Sequence, residues 1–181
     1  MSITLIPPTS ANQFATAPNM PPRIPLTRQH YYPLFDAGLM PEKCALMNGG
    51  IIEKMPQRQK HTLSLRRMTR SVRRIFGEDH VYSQSPSMLG VHDGPEPDVF
   101  VTTQPDTSIE ISLSTLDFDK GKKASRYAVA GATDYWVVDV ENRRLLVFRN
   151  PVDGVYPVPQ EWDETQNVLP NATITVADLL P

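Results

Sequence analysis

Two carboxylates twelve residues apart concentrate the chemical potential of this sequence. Asp98 follows a proline-stiffened turn, Gly94-Pro95-Glu96-Pro97, and opens onto the apolar run Val99-Phe100-Val101. Glu110 stands in Ser108-Ile109-Glu110-Ile111-Ser112, whose alternation sets the two isoleucines on one face of a strand and the glutamate on the other. If the two strands are neighbours, both carboxylates open into one cleft. Mg²⁺ needs only one or two carboxylates, with water and substrate phosphate oxygens completing its shell, so such a pair suffices. A metal held there lowers the pKa of a bound water and steadies the leaving oxygen of a phosphodiester. Spacing alone leaves a plainer alternative open, in which the glutamate faces solvent and the Pro-Asp turn holds nothing.

Positive charge is the second concentration. Lys54 to Arg74 contains eight lysines and arginines and no acid, whereas Pro151 to the end contains five acids and no lysine or arginine. With a formal net charge of -2, this asymmetry describes a local basic surface on a near-neutral body. Within that stretch residues 60–76 read as a helix. Leu65, Met68, Val72, Ile75 and Phe76 recur at helical spacing, and Arg66, Arg70, Arg73 and Arg74 take the other face. Those arginines serve either as a solvated surface or as contacts to nucleic-acid phosphates. His61, at the helix start, either bonds locally or joins a site.

These residues need a scaffold, and a chain of 181 residues is long enough to build one domain with a proper core. Six of its 18 prolines fall in the first 25 positions, so residues 1–25 read as a mobile arm and 26–181 as a single domain. Cys44 is the only cysteine, which excludes an internal disulfide and a zinc-type cluster and suits a small buried hydrophobe. No apolar run approaches ~18 residues and the start lacks a signal-peptide pattern, so the expectation is a soluble, cytoplasmic protein.

Thr27 is placed to cap a helix over Arg28–Asp36, closed by Gly38 and disturbed by Pro33. Asn48-Gly49-Gly50 between Cys44–Met47 and Ile51–Met55 predicts a hairpin. After the basic helix, strands are expected at Val81–Ser83, Ser87–Leu89, Val99–Thr102 and Ser108–Ser112, then a helix over Lys120–Ala130 closed by Gly131. Tyr135–Val140 and Leu145–Phe148 predict a buried strand pair, and a last strand is expected near Ile174–Val176. The order fits an α/β sheet packed between helices.

Pro97-Asp98, the strand around Glu110 and the helix behind it resemble the PD-(D/E)xK nuclease superfamily. More specifically, residues from about Thr27 to Phe148 are similar to the Uma family of bacterial restriction endonucleases. The specific stretch is Glu110-Ile111-Ser112, Ser114-Thr115, Asp119, Lys123, Tyr127-Ala128, Gly131, then Asp134-Tyr135-Trp136-Val137-Val138-Asp139. Upstream, the Asn48-Gly49 hairpin and His61 fall where the family has its turn and its histidine.

The resemblance implies a restriction-endonuclease-like core, a central mixed sheet flanked by helices, with an N-terminal hairpin. It implies that Asp98 and Glu110, helped by the Ile111 carbonyl, hold Mg²⁺, with Mn²⁺ as a substitute. The lysine of (D/E)xK would be position 112, which is Ser112. The family typically supplies it from the following helix, which matches Lys123, with Lys120 and Lys122 as fallbacks. There it orients the attacking water or steadies the phosphate charge. Tyr127, one turn beyond, packs or positions the lysine rather than reacting. The implied function is a Mg²⁺-dependent endonuclease acting on DNA, as a homodimer that cuts both strands.

Three departures matter. Ala45 stands where the family has an acid, Asn48 and Gly50 replace acids at the turn, and the loop after Glu110 is one residue shorter and lacks a proline. They motivate a rival reading, a degenerate nuclease fold kept as a nucleic-acid-binding or protein-interaction module.

Overall fold

Thr27 opens the first helix by a reciprocal bond: its hydroxyl accepts from the His30 N–H, and the His30 ring accepts from the Thr27 N–H. In the computed structural model this helix, α1, spans Arg28–Asp36 and carries Pro33 inside it. The structure describes residues 23–54, 56, 58–85, 89–102, 107–112 by their backbone, 115–168 and 173–181. Residues 1–22 of the expected arm lie outside the described residues, as do Met55 and positions 87 and 88 of the expected strand Ser87–Leu89.

The hairpin forms where the turn chemistry puts it. Strands β1 (Cys44–Met47) and β2 (Gly50–Glu53) pair antiparallel, and Asn48 and Gly49 both take positive φ, 50° and 67°. A side chain at Gly49 would run into Pro25, so glycine also lets the incoming chain cross the turn. Three backbone groups then fasten the hairpin to the loop that leads to Asp98. Asn48 N–H donates to the Asp93 carboxylate at 2.7 Å, Gly49 N–H to the His92 carbonyl at 2.9 Å, and Gly94 N–H to the Leu46 carbonyl at 3.0 Å. Lys54 and Glu96 add an ion pair between β2 and that loop.

Helix α2 (Gln59–Phe76) buries the face its periodicity predicts. Met68 and Val72 are fully buried, while Leu65, Ile75 and Phe76 pack against the same core. Gly77, at φ 90°, ends it. A six-stranded sheet follows in chain order: β3 (Val81–Ser83), β4 (Val99–Val101), β5 (Thr107–Ser112), β6 (Asp134–Asp139), β7 (Arg144–Arg149) and β8 (Gln160–Asp163). Every neighbouring pair is antiparallel except β5 and β6. A parallel pair needs a long crossover, and here the helical segment 116–129 supplies it.

The sheet has a core on each face. Val99, Trp136, Val138, Leu145 and Val147 face α2 and the C-terminal segment. Tyr135, Val137, Leu146 and Phe148 face Ala124 and Tyr127 of the crossover. Full burial of side chains of this size contributes about 1.5–3 kcal/mol each, which is what fixes the strand register.

Two expectations need correction. The crossover helix begins earlier than Lys120 and is not uniform: α3 (Leu116–Phe118) runs into a π-helical stretch (Asp119–Lys123) and then α4 (Ala124–Val129). No strand forms over Ile174–Val176. Only Thr175 bridges, to Asn167, and Val176–Leu179 is a short 3-10 turn opened by a Thr175–Asp178 capping box. The alternation of Ile174 and Val176 reports two buried anchors rather than a ladder. The edge strand β8 has little signature in the sequence, because Gln160-Glu161-Trp162-Asp163 carries one apolar residue among charges, as exposed edges do. No described helix is long and apolar enough to cross a membrane.

Candidate active site

The register of β4 on β5 sets where positions 98 and 110 fall along the sheet. Val99 pairs with Ile109, so Asp98 immediately precedes the paired stretch on β4 and Glu110 immediately follows it on β5. Glu110 is also level with Val137 of β6, and Val137 with Leu146 of β7. That row belongs to the face covered by α4, whereas the next row, Val99, Ile109, Trp136 and Val147, belongs to the face covered by α2. By register, position 110 of β5 lies in the row on the crossover-helix side, while Asp98 stands at the mouth of β4, the strand beside β5. Ile111 follows in β5, level with Val138.

Asp98 is largely buried and does not stand alone. His61, from the first turn of α2, brings Nε2 to 3.2 Å from its Oδ1, with only 13% and 12% of the two side chains exposed. The structure thus joins His61, which the sequence left between a local bond and a site role, to the first candidate carboxylate.

Lys123 lies at the junction of the π-helical stretch with α4, and its Nζ sits 3.0 Å from the buried Asp119 carboxylate. Thr115 Oγ1 donates to the other oxygen of Asp119 at 2.6 Å, and Tyr135 OH donates to the Asp119 carbonyl at 3.0 Å. Tyr135 in turn stacks on Tyr127 at 4.6 Å between centroids. Tyr127 is fully buried, which supports packing rather than reaction. Lys120, a fallback candidate, pairs with the exposed Asp117 at 2.8 Å, while Lys122 faces a groove on the outer side. Asp119 and Thr115 are the residues whose role sequence reasoning missed. The signal was present as the i, i+4 spacing of Asp119 and Lys123, a helical ion-pair distance.

Arg66, Arg70, Arg73 and Arg74 come together as expected. They line one groove of about 590 Å³ along α2 that begins at Thr62, next to His61, and reaches Glu78 and Ser83. Arg67 is excluded from this row: its guanidinium donates to the Leu180 carbonyl at 2.6 Å and ties down the C-terminus.

A family model, Uma2, described as "Putative restriction endonuclease", matches residues 35–181. The chain belongs to the Uma2 family. Its fold is also similar to the crystal structure of a protein titled a putative nuclease of DUF820, from Anabaena variabilis. That likeness has a TM-score of 0.60 at 17% identity and covers 81% of this chain and 96% of the other. No curated protein matches the chain.

For a Uma2 protein the donor set is spare. Among the described residues no group of three or more His, Cys, Asp or Glu gathers as a metal cage. Two carboxylates and a backbone carbonyl, all hard oxygen donors, fit an ion that keeps several waters, which is the habit of Mg²⁺. Ala45, in place of the family's acid, is buried in β1 opposite Ile52 and brings no oxygen.

Proposed function

We propose that this Uma2 protein is a divalent-metal-dependent endonuclease that hydrolyses phosphodiester bonds of DNA. The observation that supports the reading best is the juxtaposition of elements: a buried Asp98, met by His61, at the mouth of β4, beside the strand β5 that carries position 110 and leads into the crossover with Lys123. Asp98 and Glu110, with the Ile111 carbonyl, would hold Mg²⁺ or Mn²⁺, and the ion when bound supplies an acidified water and charge neutralisation at the phosphate. His61 keeps one oxygen of Asp98 engaged and so fixes its rotamer. Lys123, held by Asp119, presents positive charge to the attacking water or to a phosphoryl oxygen. Arg66, Arg70, Arg73 and Arg74 receive backbone phosphates. The reading includes one domain over 26–181 behind a Pro-rich arm, a cytoplasmic setting, and a homodimer that cuts both strands.

The test is a calorimetric titration of Mn²⁺ and Mg²⁺, with and without DNA, beside plasmid cleavage, on wild type and on Asp98→Ala/Glu110→Ala. Metal uptake and cleavage that both vanish in the double variant support the reading. DNA binding without turnover in any divalent metal would favour the degenerate binding module instead, the reading that Ser112 and the buried Ala45 motivate. Light scattering that gives a monomeric mass at working concentration would remove the dimer.

A further inference from the structure

A second groove opens beside Lys123, on the outer side of the crossover helix. It measures about 680 Å³, within the ~300–1,000 Å³ of ordinary ligand clefts. One wall is the hairpin, through Met47, Asn48 and Ile52. The other is one face of the crossover, through Phe118, Gly121, Lys122, Ser125, Arg126 and Val129. Phe118 links this groove to the candidate catalytic lysine, because its half-buried ring lies 5.9 Å from Lys123 Nζ. Apolar surface with one aromatic ring forms the groove, bordered by exposed Lys122 and, one helical turn on, by Arg126, which lies 3.9 Å from the Asp93 carboxylate.

We infer that this groove is a subsite for an unstacked nucleobase of a single-stranded or locally opened substrate, adjacent to the scissile phosphate. The inference rests on the nuclease reading and names its substrate class. Three features choose this occupant. Exposed Lys122 matches a phosphodiester backbone entering from the Lys123 side, while Arg126 is engaged by Asp93. An aromatic ring among apolar side chains offers a base a stacking surface, the combination by which single strands are held without sequence preference. A duplex cannot use it, because its base faces are covered by their neighbours and only a flipped or unpaired base presents one. Asn48 and Ser125 add polar groups suited to a base edge.

Gly121 supplies a clean test. A Cβ built there meets nothing within 4 Å, and its φ lies outside the left-handed region, so the backbone accepts a side chain and Gly121→Leu places one in the groove. Replacing a helical glycine with leucine raises helix propensity, so the melting temperature should hold or rise. The probe is a short single-stranded oligodeoxynucleotide carrying one fluorescent adenine analogue, compared with the same sequence as a blunt duplex, in EDTA to prevent turnover. The single strand should bind more tightly than the duplex, with quenching of the analogue. Gly121→Leu and Phe118→Ala should each weaken single-strand binding by roughly tenfold and abolish the quenching. Equal binding of both forms, or single-strand binding unchanged in Gly121→Leu, overturns the subsite. If plasmid cleavage persists and depends on Asp98 while Gly121→Leu has no effect, the subsite falls and the nuclease reading stands. If the strand binds and Gly121→Leu removes it while no metal supports cleavage, the subsite stands and turnover falls.

Discussion

Asp119→Asn is the substitution that most directly examines how the candidate lysine is held. The carboxylate is 2% exposed and faces Lys123 Nζ at 3.0 Å, while its other oxygen accepts the Thr115 hydroxyl at 2.6 Å. Asparagine keeps the shape and a hydrogen bond but removes the buried anion. Breaking a fully buried ion pair from one side costs about 3–5 kcal/mol. Lys123 is still 19% exposed, so water takes up part of that cost and about 2–3 kcal/mol is expected. For a chain of this size each kcal/mol moves the melting temperature by roughly 2–4 °C, so the midpoint should fall by about 5–10 °C. Displacing the ammonium by the order of 1 Å should also lower single-turnover cleavage about 10²-fold. Thermal melts and single-turnover assays on Asp119→Asn, Lys123→Met and the double variant form a cycle. If the two substitutions add within about 0.5 kcal/mol, Asp119 and Lys123 are not coupled and the reasoning is wrong.

Two further predictions follow from side chains around this centre. Replacing Arg66 and Arg70 together by glutamine should reduce the salt slope of DNA binding by about two, near 0.9 for each phosphate that is no longer neutralised. Arg67→Gln should leave that slope alone and destabilise the fold by about 1 kcal/mol, because its work is at the Leu180 carbonyl; filter binding across a salt series and urea melts separate the two. Asp139 concerns acid stability. Burial pushes its pKa up, but the bonds from Asn142 and Arg144 outweigh that and hold it below its ordinary 3.8. A depressed folded-state pKa stabilises above the unfolded value and loses that contribution as pH falls through the folded one. The stability gap between wild type and Asp139→Asn should therefore be full at neutral pH and shrink below 3.8, read from urea midpoints across pH.

Much of the site's scaffold was legible because local rules and burial agree there. Thr27 and His30 make a cap at the spacing a cap requires, and Asn48-Gly49 accepts two positive φ angles that most residues avoid. The alternation around Glu110 became strand β5, paired with β4 and β6, since a slip of one residue would turn every side chain to the wrong face. What escaped was whatever depends on non-local partners. Helical spacing already left Arg67 out of the row of Arg66, Arg70, Arg73 and Arg74, but nothing local says that the Leu180 carbonyl arrives from the far end of the chain to accept its guanidinium N–H. Ile174 and Val176 alternate like a strand because both are anchors under α2, and no local signal says that a ladder partner is missing. The π-helical stretch is a third case, with its widened turn lying where Asp119 is fastened from Thr115, Lys123 and Tyr135 at once.

That stretch also bears on whether Ser112 disables the site. Positions 110 and 112 of β5 share a face by strand periodicity, so a lysine at 112 would sit on the side covered by the crossover. Tyr135 rises from the same face, level with Ser108, and its hydroxyl binds the backbone of Asp119, the residue that holds Lys123. A lysine delivered downward from the helix and one delivered upward from the strand thus approach the same layer from opposite sides. The exchange trades a rigid strand position for a helix position, and rigidity has to come from elsewhere. Buried Asp119, fixed by Thr115 and Tyr135, provides it. Ser112 therefore does not by itself argue against the proposed centre, because the helix carries both a lysine and the buried acid that fixes it.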